Sequence, residues 1–372
     1  MARDLKVFYR RDVSRTPTDI DRPSRRPCRE GFTLVELLVS IGVLAFLVLI
    51  VAQIVSMASG LSGSMGSRLN SYDQARTVFN RMEVDVAGIP KHPGADYLIG
   101  TDGSASDAMY FYSEVQGYAS SAPTSPSSLS LVGYRVNTTA YDLEHLAFPL
   151  NWDDMLFLIP NLAGGTFAPL SSTVMATATP PLSTAMAASN FHSIGDGVFR
   201  MEVFYFLKDG TFSVYPIISP VLPAGKKSNL SATGAPTPSN DSSQSYCSGS
   251  RWYDTAGLRG YVCQSAATGQ AVWAPIGWQD VNALVVTLGI LDPASHLIAT
   301  NGGWNLGKVA KAFTPAANSD TSLDASPPVL PIQAWNKTIA AGGLVGLLPT
   351  KVASAVRVYQ HFIYLNTPNA HE

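Results

Sequence analysis

Charge is scarce in this sequence, because Asp, Glu, Lys and Arg together make up 14% of the 372 residues and the formal net charge is −2. A nucleic-acid-binding protein would show a basic domain or stripe, so this weak and balanced charge argues against that class. Cysteine is also rare, with three residues, but the length allows a core that folds without covalent staples. Hydrophobic residues reach 46%, which argues against a disordered chain.

The few charges are distributed unevenly along the chain. Residues 1–30 hold nine Lys and Arg and five Asp and Glu, whereas residues 31–372 hold sixteen and twenty-two. The sequence therefore divides into a basic leader and a mildly acidic body.

One long apolar segment follows the leader. After Glu36 the next charged residue is Arg68, and Leu37–Met57 alone spans 21 residues, enough for a helix to cross a hydrocarbon core of ~30 Å. The excess of Lys and Arg before this segment predicts a cytoplasmic N-terminus. A cleaved secretory signal would be shorter and would end in a small-x-small site, which is not evident here. The same missing site weakens a twin-arginine interpretation of Ser24-Arg25-Arg26.

Glu36 is a carboxylate at the edge of this apolar segment, where carrying it to mid-bilayer would cost about 2.5–3.5 kcal/mol. One interpretation is that its side chain reaches back to the lipid headgroups. The other is that the chain is cut after Gly31, so that Glu36 becomes the fifth residue and pairs with the α-amino group of a neighbouring subunit. An ionisable group inside a membrane segment favours such a functional role.

The run that carries Glu36 resembles the class III signal of type IV prepilins and type II secretion pseudopilins. It reads Gly31-Phe32-Thr33-Leu34-Val35-Glu36-Leu37-Leu38-Val39-Ser40-Ile41. The resemblance implies that a membrane aspartyl peptidase, the prepilin peptidase, cuts after Gly31 and that the new N-terminal Phe32 is methylated. It also implies that Glu36 aids docking of the subunit in a filament. The resemblance is strong over residues 25–60 and fades beyond them.

Apolar residues continue at helical spacing beyond the membrane segment. They are Leu61, Met65, Leu69, Tyr72, Ala75, Phe79, Met82 and Val86. We expect one helix over 32–88 that packs on a globular domain along this stripe and is ended by Gly88 and Pro90. The segment 81–88 also resembles the helix end of J-type pseudopilins and W-type minor pilins, in which an apolar residue precedes an Asp and the helix closes in Ala-Gly.

The body contains short segments rich in Tyr, Phe and Val that predict strands. They are 108–116, 129–136, 155–159, 198–207, 211–216, 281–290 and 352–365. The tripeptide Lys208-Asp209-Gly210 predicts a hairpin turn. One long helix followed by these strands predicts a pilin-like α+β fold in which the helix packs on a mainly antiparallel sheet.

The segments between these strands are rich in Ser, Thr, Ala, Pro and Gly. They are 119–130, 161–190, 222–250 and 312–330. We expect long surface loops there, either passive or forming a variable face for partners. The predicted organisation is a leader over 1–31, a transmembrane helix over 32–60, an amphipathic helix over 61–88 and an extracytoplasmic β-rich domain over 89–372.

Cys247 and Cys263 lie in the body, whereas Cys28 lies in the leader. On the extracytoplasmic side a disulfide between Cys247 and Cys263 would close a loop of about 16 residues and stabilise the fold by ~3 kcal/mol through loop entropy. Two free thiols are the alternative.

Recognisable catalytic motifs are absent from the sequence, including nucleophile elbows, Ser-x-x-Lys, His-Glu-x-x-His, Cys-x-x-Cys and phosphate loops. We therefore expect no enzyme, no cofactor and no metal. His145 lies near Asp142 and Glu144 and could join a metal site, but solvated loop charges are the favoured interpretation.

Five Trp residues of the body could stack on sugars, although core or loop-anchoring roles are favoured for them. They are Trp252, Trp273, Trp278, Trp304 and Trp335. Two rival functions therefore stay open at this point. One is a pilin-anchored surface adhesin or glycan-binding protein, and the other is a membrane-anchored hydrolase that uses the signal only for delivery.

The favoured function is a structural minor pilin or pseudopilin subunit of a type IV pilus or type II secretion pseudopilus. Cutting after Gly31 would leave 341 residues, and this large size favours a minor subunit with the J-type and W-type proteins as the nearest comparison. The overall layout also resembles the family called Verru_Chthon cassette protein C.

The resemblance also implies a set of partners and a location. The partners would be the prepilin peptidase, other pilin or pseudopilin subunits, the inner-membrane assembly platform and membrane lipid, with no nucleic acid. The chain would be a single-pass inner-membrane protein whose C-terminal domain lies outside the cytoplasm.

Overall fold

The computed structural model describes residues 33–90, 97–101, 106–118, 126–151, 187–313 and 329–365. The chain forms two compact units, Met1–Gly60 and Leu61–Glu372. Helix α1, Leu34–Ala87, contributes residues to both units.

In the first unit, α1 is apolar and uncovered. Its segment Leu34–Met57 has 24 residues, a mean hydropathy of 2.9 and none of its hydrophobic window buried within the structure. At a rise of 1.5 Å per residue such a helix is ~36 Å long, so it can cross a membrane by length and composition.

The second unit contains the described strands and the remaining helices. The strands are β1 (Tyr97–Thr101), β2 (Asp107–Ser113), β3 (Pro126–Val136), β4 (Leu143–Asn151), β5 (His192–Gly195), β6 (Val198–Leu207), β7 (Phe212–Ser213), β8 (Asn229–Ala232), β9 (Arg251–Asp254), β10 (Arg259–Ser265), β11 (Val272–Ile276), β12 (Val281–Ile290) and β13 (Arg357–Tyr364). The helices after α1 are α2 (Pro293–Asn301), α3 (Leu306–Ala312), α4 (Pro331–Ala340) and α5 (Thr350–Ala353), with short 3-10 helices at Ala188–Asn190 and Ser242–Gln244.

The strands form three sheets. One has five strands in the order β1-β2-β3-β4-β5, a second has the order β13-β12-β6-β7, and a third has the order β11-β10-β9-β8. Pairing is antiparallel throughout except between β8 and β9, which are parallel. The prediction of an α+β fold with a long N-terminal helix and mainly antiparallel sheets is confirmed.

The main core lies where the second half of α1 meets the first two sheets. Val78 and Met82 of α1 are fully buried there against residues such as Phe111 of β2 and Leu284 of β12. The helix is therefore held by two sheets at once, because side chains from both pack in the same apolar cluster.

The apolar stripe of α1 is buried along only part of its length. Ala75, Phe79, Met82 and Val86 are buried as expected, but the side chains of Met65, Leu69 and Tyr72 are 66%, 62% and 52% exposed. Leu61 lies outside the described side chains. The prediction that the whole stripe packs on the domain is wrong for Met65 and Leu69, which are mostly exposed, whereas Tyr72 is half exposed and makes an edge-to-face contact with Tyr359 of β13 at 6.2 Å.

Helices α2 to α5 surround a second apolar cluster centred on Trp335. Arg200 of β6 is buried in it, with its guanidinium 4.7 Å from the Trp335 ring and 3.1 Å from Glu202, and it also donates to the carbonyl of Phe313. Helix α2 begins at Pro293 because the Asp292 side chain accepts from two backbone N–H groups of its first turn.

The structure confirms several of the predicted elements and contains others that were not predicted. The segment 198–207 is β6, the segment 281–290 is β12, and the hairpin turn is confirmed, since Gly210 has a φ of +85° and Asp209 accepts from the N–H of Thr211. The segment 352–365 is a strand only from Arg357, because α5 precedes it. The segment 155–159 lies outside the described residues. The segment 222–250, expected as a loop, contains β8 and a 3-10 helix.

Candidate functional site

Helix α1 begins with a reciprocal pair of hydrogen bonds between Thr33 and Glu36. The Glu36 backbone N–H donates to Thr33 Oγ1 at 3.2 Å, and Glu36 Oε2 accepts from the Thr33 backbone N–H at 3.1 Å and from its hydroxyl at 3.0 Å. This is a capping box, which satisfies backbone donors that a helix start would otherwise leave unpaired. The first intrahelical bond runs from Leu37 N–H to Thr33 carbonyl at 3.1 Å.

The capping box gives Glu36 a local role that the sequence analysis did not consider, although Thr33 three residues before Glu36 is its signature. Both bonds from Thr33 end on Oε2, so Oε1 takes no part in the box. The carboxylate can therefore accept a further donor through Oε1 without opening the helix start. Gly31 and Phe32, the predicted cleavage and methylation positions, lie outside the described residues.

At its C-terminal end, α1 carries a buried carboxylate, Asp85, inside the second unit. Asp85 is fully buried, and its Oδ2 accepts from the Tyr134 hydroxyl at 2.6 Å. The Arg81 guanidinium, one turn earlier, places Nε 3.2 Å from Oδ1 and 3.3 Å from Oδ2. A buried charge without partners would be very costly, so these donors are what allows an acid at this position.

His145 of β4 extends this cluster towards the surface. Its Nε2 lies 2.7 Å from Asp85 Oδ2, and its Nδ1 lies 2.6 Å from the Tyr118 hydroxyl. Because the carboxylate can only accept, Nε2 carries a proton towards Asp85. The Tyr118 hydroxyl also donates to the His145 carbonyl at 2.7 Å, so its single proton is shared between that oxygen and Nδ1. Tyr134 and His145 are directly opposite each other on β3 and β4, which brings both side chains to Asp85.

Both tyrosines of this cluster keep their hydroxyl protons. Burial, and secondarily the Asp85 charge, raises the pKa of Tyr118 to about 12 despite the opposing effect of Arg81. The same causes raise the pKa of Tyr134 well above its usual range. A chain of carboxylate, imidazole and hydroxyl activates nucleophiles in hydrolases, but here the Tyr118 hydroxyl is also held by the His145 carbonyl. These hydrogen bonds, which hold both hydroxyls inside the domain, favour a structural role for this cluster.

The backbone after Asp85 is joined to the end of β2. The Glu114 N–H donates to the Gly88 carbonyl at 2.7 Å, and the Ser113 hydroxyl donates to the Asp85 carbonyl at 2.5 Å. A Cβ at Gly88 would lie 2.5 Å from Ser113 Oγ and 3.2 Å from Glu114 N. The close approach of β2 therefore favours glycine at this position.

The favoured sequence interpretation of His145 as a solvated loop residue is wrong. His145 is 2% exposed and lies on β4. Its neighbour Glu144 faces elsewhere and pairs with Arg135 at 2.7 Å. Among the residues that the structure describes, no group of three or more His, Cys, Asp or Glu could hold a metal ion.

Most of the candidate sugar-stacking tryptophans are internal. Trp252, Trp278 and Trp335 are buried, and Trp304 is 38% exposed. Trp252 donates to the Gly234 carbonyl at 2.7 Å, and Trp273 donates to the Asn240 carbonyl at 3.1 Å. The prediction that these residues are core residues or loop anchors is confirmed for Trp252, Trp273, Trp278 and Trp335.

The two cysteines of the body are free thiols in the structure. Cys263 is buried on β10, and Cys247 is half-buried in the turn before β9. Burial raises the pKa of the Cys263 thiol, and a negative charge on Cys247 raises it further. The disulfide between them stays a prediction.

The N-terminal segment matches a known family. Residues 26–52 match the family described as "Prokaryotic N-terminal methylation motif". No curated protein shows significant similarity to the chain. The matched residues include Gly31, Phe32 and Glu36 and reach into the uncovered apolar part of α1. The chain thus carries, at its N-terminus, the class III signal of the type IV prepilin and pseudopilin family.

Proposed function

We propose that the chain is a structural minor pilin or pseudopilin subunit, cut after Gly31, methylated at Phe32 and assembled into a type IV pilus or type II secretion pseudopilus. The observation that carries this proposal is the methylation motif at 26–52, which overlaps an apolar segment, Leu34–Met57, long enough to cross a membrane. The J-type and W-type minor subunits remain the nearest comparison for its role.

The proposed assembly step depends on Glu36. Cleavage creates a positively charged amine at Phe32, and an ionised carboxylate in hydrocarbon needs such a cation. Oε1 of Glu36 is not used by the capping box, so it can accept the amine of a neighbouring subunit while Oε2 keeps the helix start intact. The pairing then lowers the cost of holding both charges in an apolar bundle.

The proposed location and partners follow from the same features. The basic leader stays in the cytoplasm, Leu34–Met57 spans the inner membrane in contact with lipid, and the C-terminal domain lies outside. The partners are the prepilin peptidase, the assembly platform and other pilin subunits. We propose that the chain is a structural subunit and not an enzyme.

The buried cluster around Asp85 suits a subunit that is pulled from the membrane by its helix. Extraction loads α1, and α1 stays attached to its domain only if the helix is firmly joined to the sheets. Asp85, Tyr134 and His145 supply that join with short hydrogen bonds between buried side chains.

A comparison of Gly31 variants tests the proposal in cells that contain a prepilin peptidase. Gly31→Arg should leave the full precursor in the membrane, because a bulky cation replaces the small residue before the cut, whereas Gly31→Ala should still be processed. Equal processing of both variants on a gel would refute the class III assignment. A glycan array probed with the detergent-solubilised full chain tests the rival adhesin function, which predicts binding to a defined sugar.

A further inference from the structure

We propose that Cys247 and Cys263 are a disulfide-forming pair that fastens the turn before β9 to strand β10. The inference rests on the proposed function in one respect, namely that the C-terminal domain reaches a compartment where a protein disulfide can act as oxidant.

The backbone already holds the two segments side by side. The Cys263 N–H donates to the Ser250 carbonyl at 2.9 Å, and the Gly249 N–H donates to the Cys263 carbonyl at 2.8 Å. The turn is closed by a bond from the Ser250 N–H to the Cys247 carbonyl at 2.9 Å, and Gly249 has a φ of +89° that suits glycine. Cys247 is therefore one short turn away from Cys263 in space, although 16 positions separate them in the sequence.

The side chains around the pair differ in access. Cys263 is 1% exposed and its strand position is opposite Trp273, whereas Cys247 is half-buried. The buried Ser250 hydroxyl lies 3.6 Å from the Cys247 sulfur and 2.9 Å from the Cys247 N–H. The charge of a Cys247 thiolate reaches the Cys263 thiol and raises its pKa, as expected for neighbouring sulfurs.

This difference in access sets the order of the chemistry. The more accessible Cys247 thiolate attacks a sulfur of a protein or glutathione disulfide, forming a mixed disulfide and releasing one thiolate of the oxidant. The Cys263 thiolate then attacks the Cys247 sulfur, so that the Cys247–Cys263 bond forms and the second oxidant thiolate leaves. The two cysteines lose two protons and two electrons, and the oxidant gains the electrons.

The bond would stabilise the part of the domain with the smallest cores. The sheet β11-β10-β9-β8 rests on two small apolar clusters, one around Tyr253 and one around Trp252. A bond from Cys247 to β10 would also anchor the C-terminal end of the polar segment 222–250. Its loss should therefore appear first as proteolysis in that segment.

The test uses the full chain, purified in detergent, with Cys28→Ser to remove the leader thiol. After incubation with glutathione disulfide and alkylation, tryptic peptides 228–251 and 260–308 should be recovered as one linked species, lighter by two hydrogens than their sum. Adding Cys247→Ser or Cys263→Ser should abolish this species and should speed proteolysis within 222–250. Recovery of both cysteines alkylated, or of Cys247 carrying glutathione with Cys263 free, would overturn the proposal.

A second arm, in intact cells, separates this proposal from the proposed function. There, the linked peptide is expected before any reductant is added, and a membrane-impermeant maleimide should label the body only after reduction. If the pair oxidises with glutathione but stays reduced and unlabelled in cells, the disulfide stands and the extracytoplasmic placement is wrong.

Discussion

His145 on β4 and Asp85 on α1 are 60 residues apart in sequence, and their side chains meet at 2.7 Å with both almost completely buried. The contact joins the helix that carries the class III signal to the five-stranded sheet. Tyr134, opposite His145 on β3, donates to the same Asp85 oxygen at 2.6 Å. The helix end is therefore fixed by a polar cluster within an otherwise apolar core.

Replacing Asp85 should be strongly destabilising. Asp85→Ala leaves Arg81, Tyr134 and His145 without their acceptor, and breaking a buried charged network costs about 3–5 kcal/mol. The matched control is Glu83→Gln on the same helix, whose pair with His361 is exposed and should contribute less than about 1 kcal/mol. Urea unfolding of the full chain in detergent measures both variants, and equal losses would contradict the account.

Gly66 of α1 and Gly88, the residue that follows the helix, should respond in opposite directions to alanine. Gly88→Ala should cost roughly 1–3 kcal/mol, because its Cβ would lie 2.5 Å from Ser113 Oγ. At Gly66, inside α1, an added Cβ would meet nothing within 4 Å, so Gly66→Ala should stabilise by about 0.5–1 kcal/mol through helix propensity. The free energies of unfolding check the pair, and stabilisation by Gly88→Ala would show that the close approach to β2 is unimportant.

Stability should fall with rising pH above about 10, and Tyr118 contributes to this fall together with other buried tyrosines such as Tyr134. The pKa of Tyr118 is about 12 in the folded protein against about 10 in an unfolded chain, so the folded state keeps a proton that the unfolded state loses between those values. The stabilisation is complete below about pH 10 and is lost as the pH rises towards 12. Tyr118→Phe should show a shallower decline over that range in denaturant unfolding at a series of pH values. An unchanged slope would mean that Tyr118 titrates alike in both states.

The two roles of Glu36 can be separated by isosteric replacement. Glu36→Gln keeps the capping geometry with Thr33 but removes the charge, whereas Glu36→Val removes both. We expect both variants to be processed after Gly31 and neither to enter filaments normally, because assembly needs the charge. An immunoblot of sheared filaments measures how much of each variant is incorporated and shows whether assembly needs the charge of Glu36. Normal incorporation of Glu36→Gln would reduce Glu36 to a helix cap.

The features that local sequence pattern controls were largely predictable. The helix expected over 32–88 is observed from Leu34 to Ala87, since a capping box starts it and Gly88 ends it. Long apolar strands such as β6 and β12 were found because each is a ten-residue run buried on nearly all positions. The short, mixed-polarity strands β8 and β9, with four residues each, leave little periodic signal and were missed.

The features that depend on distant contacts could not be predicted. His145 sits between charged neighbours in sequence, which suggested a solvated loop, and only the pairing of β3 with β4 places it beside Asp85. The stripe of α1 has one uninterrupted helical period, yet it is buried from Ala75 and exposed at Leu69, because coverage depends on where the sheets begin. The arrangement of the two cysteines likewise depends on a turn closed by Gly249.

The identity of the first residue of the mature protein tests the central claim most directly. Intact-mass measurement and N-terminal sequencing of the full chain, purified from membranes of cells with a prepilin peptidase, give that residue. We expect 341 residues beginning at N-methylated Phe32. A mature chain that retains the leader, or that begins at any residue other than Phe32, would contradict it.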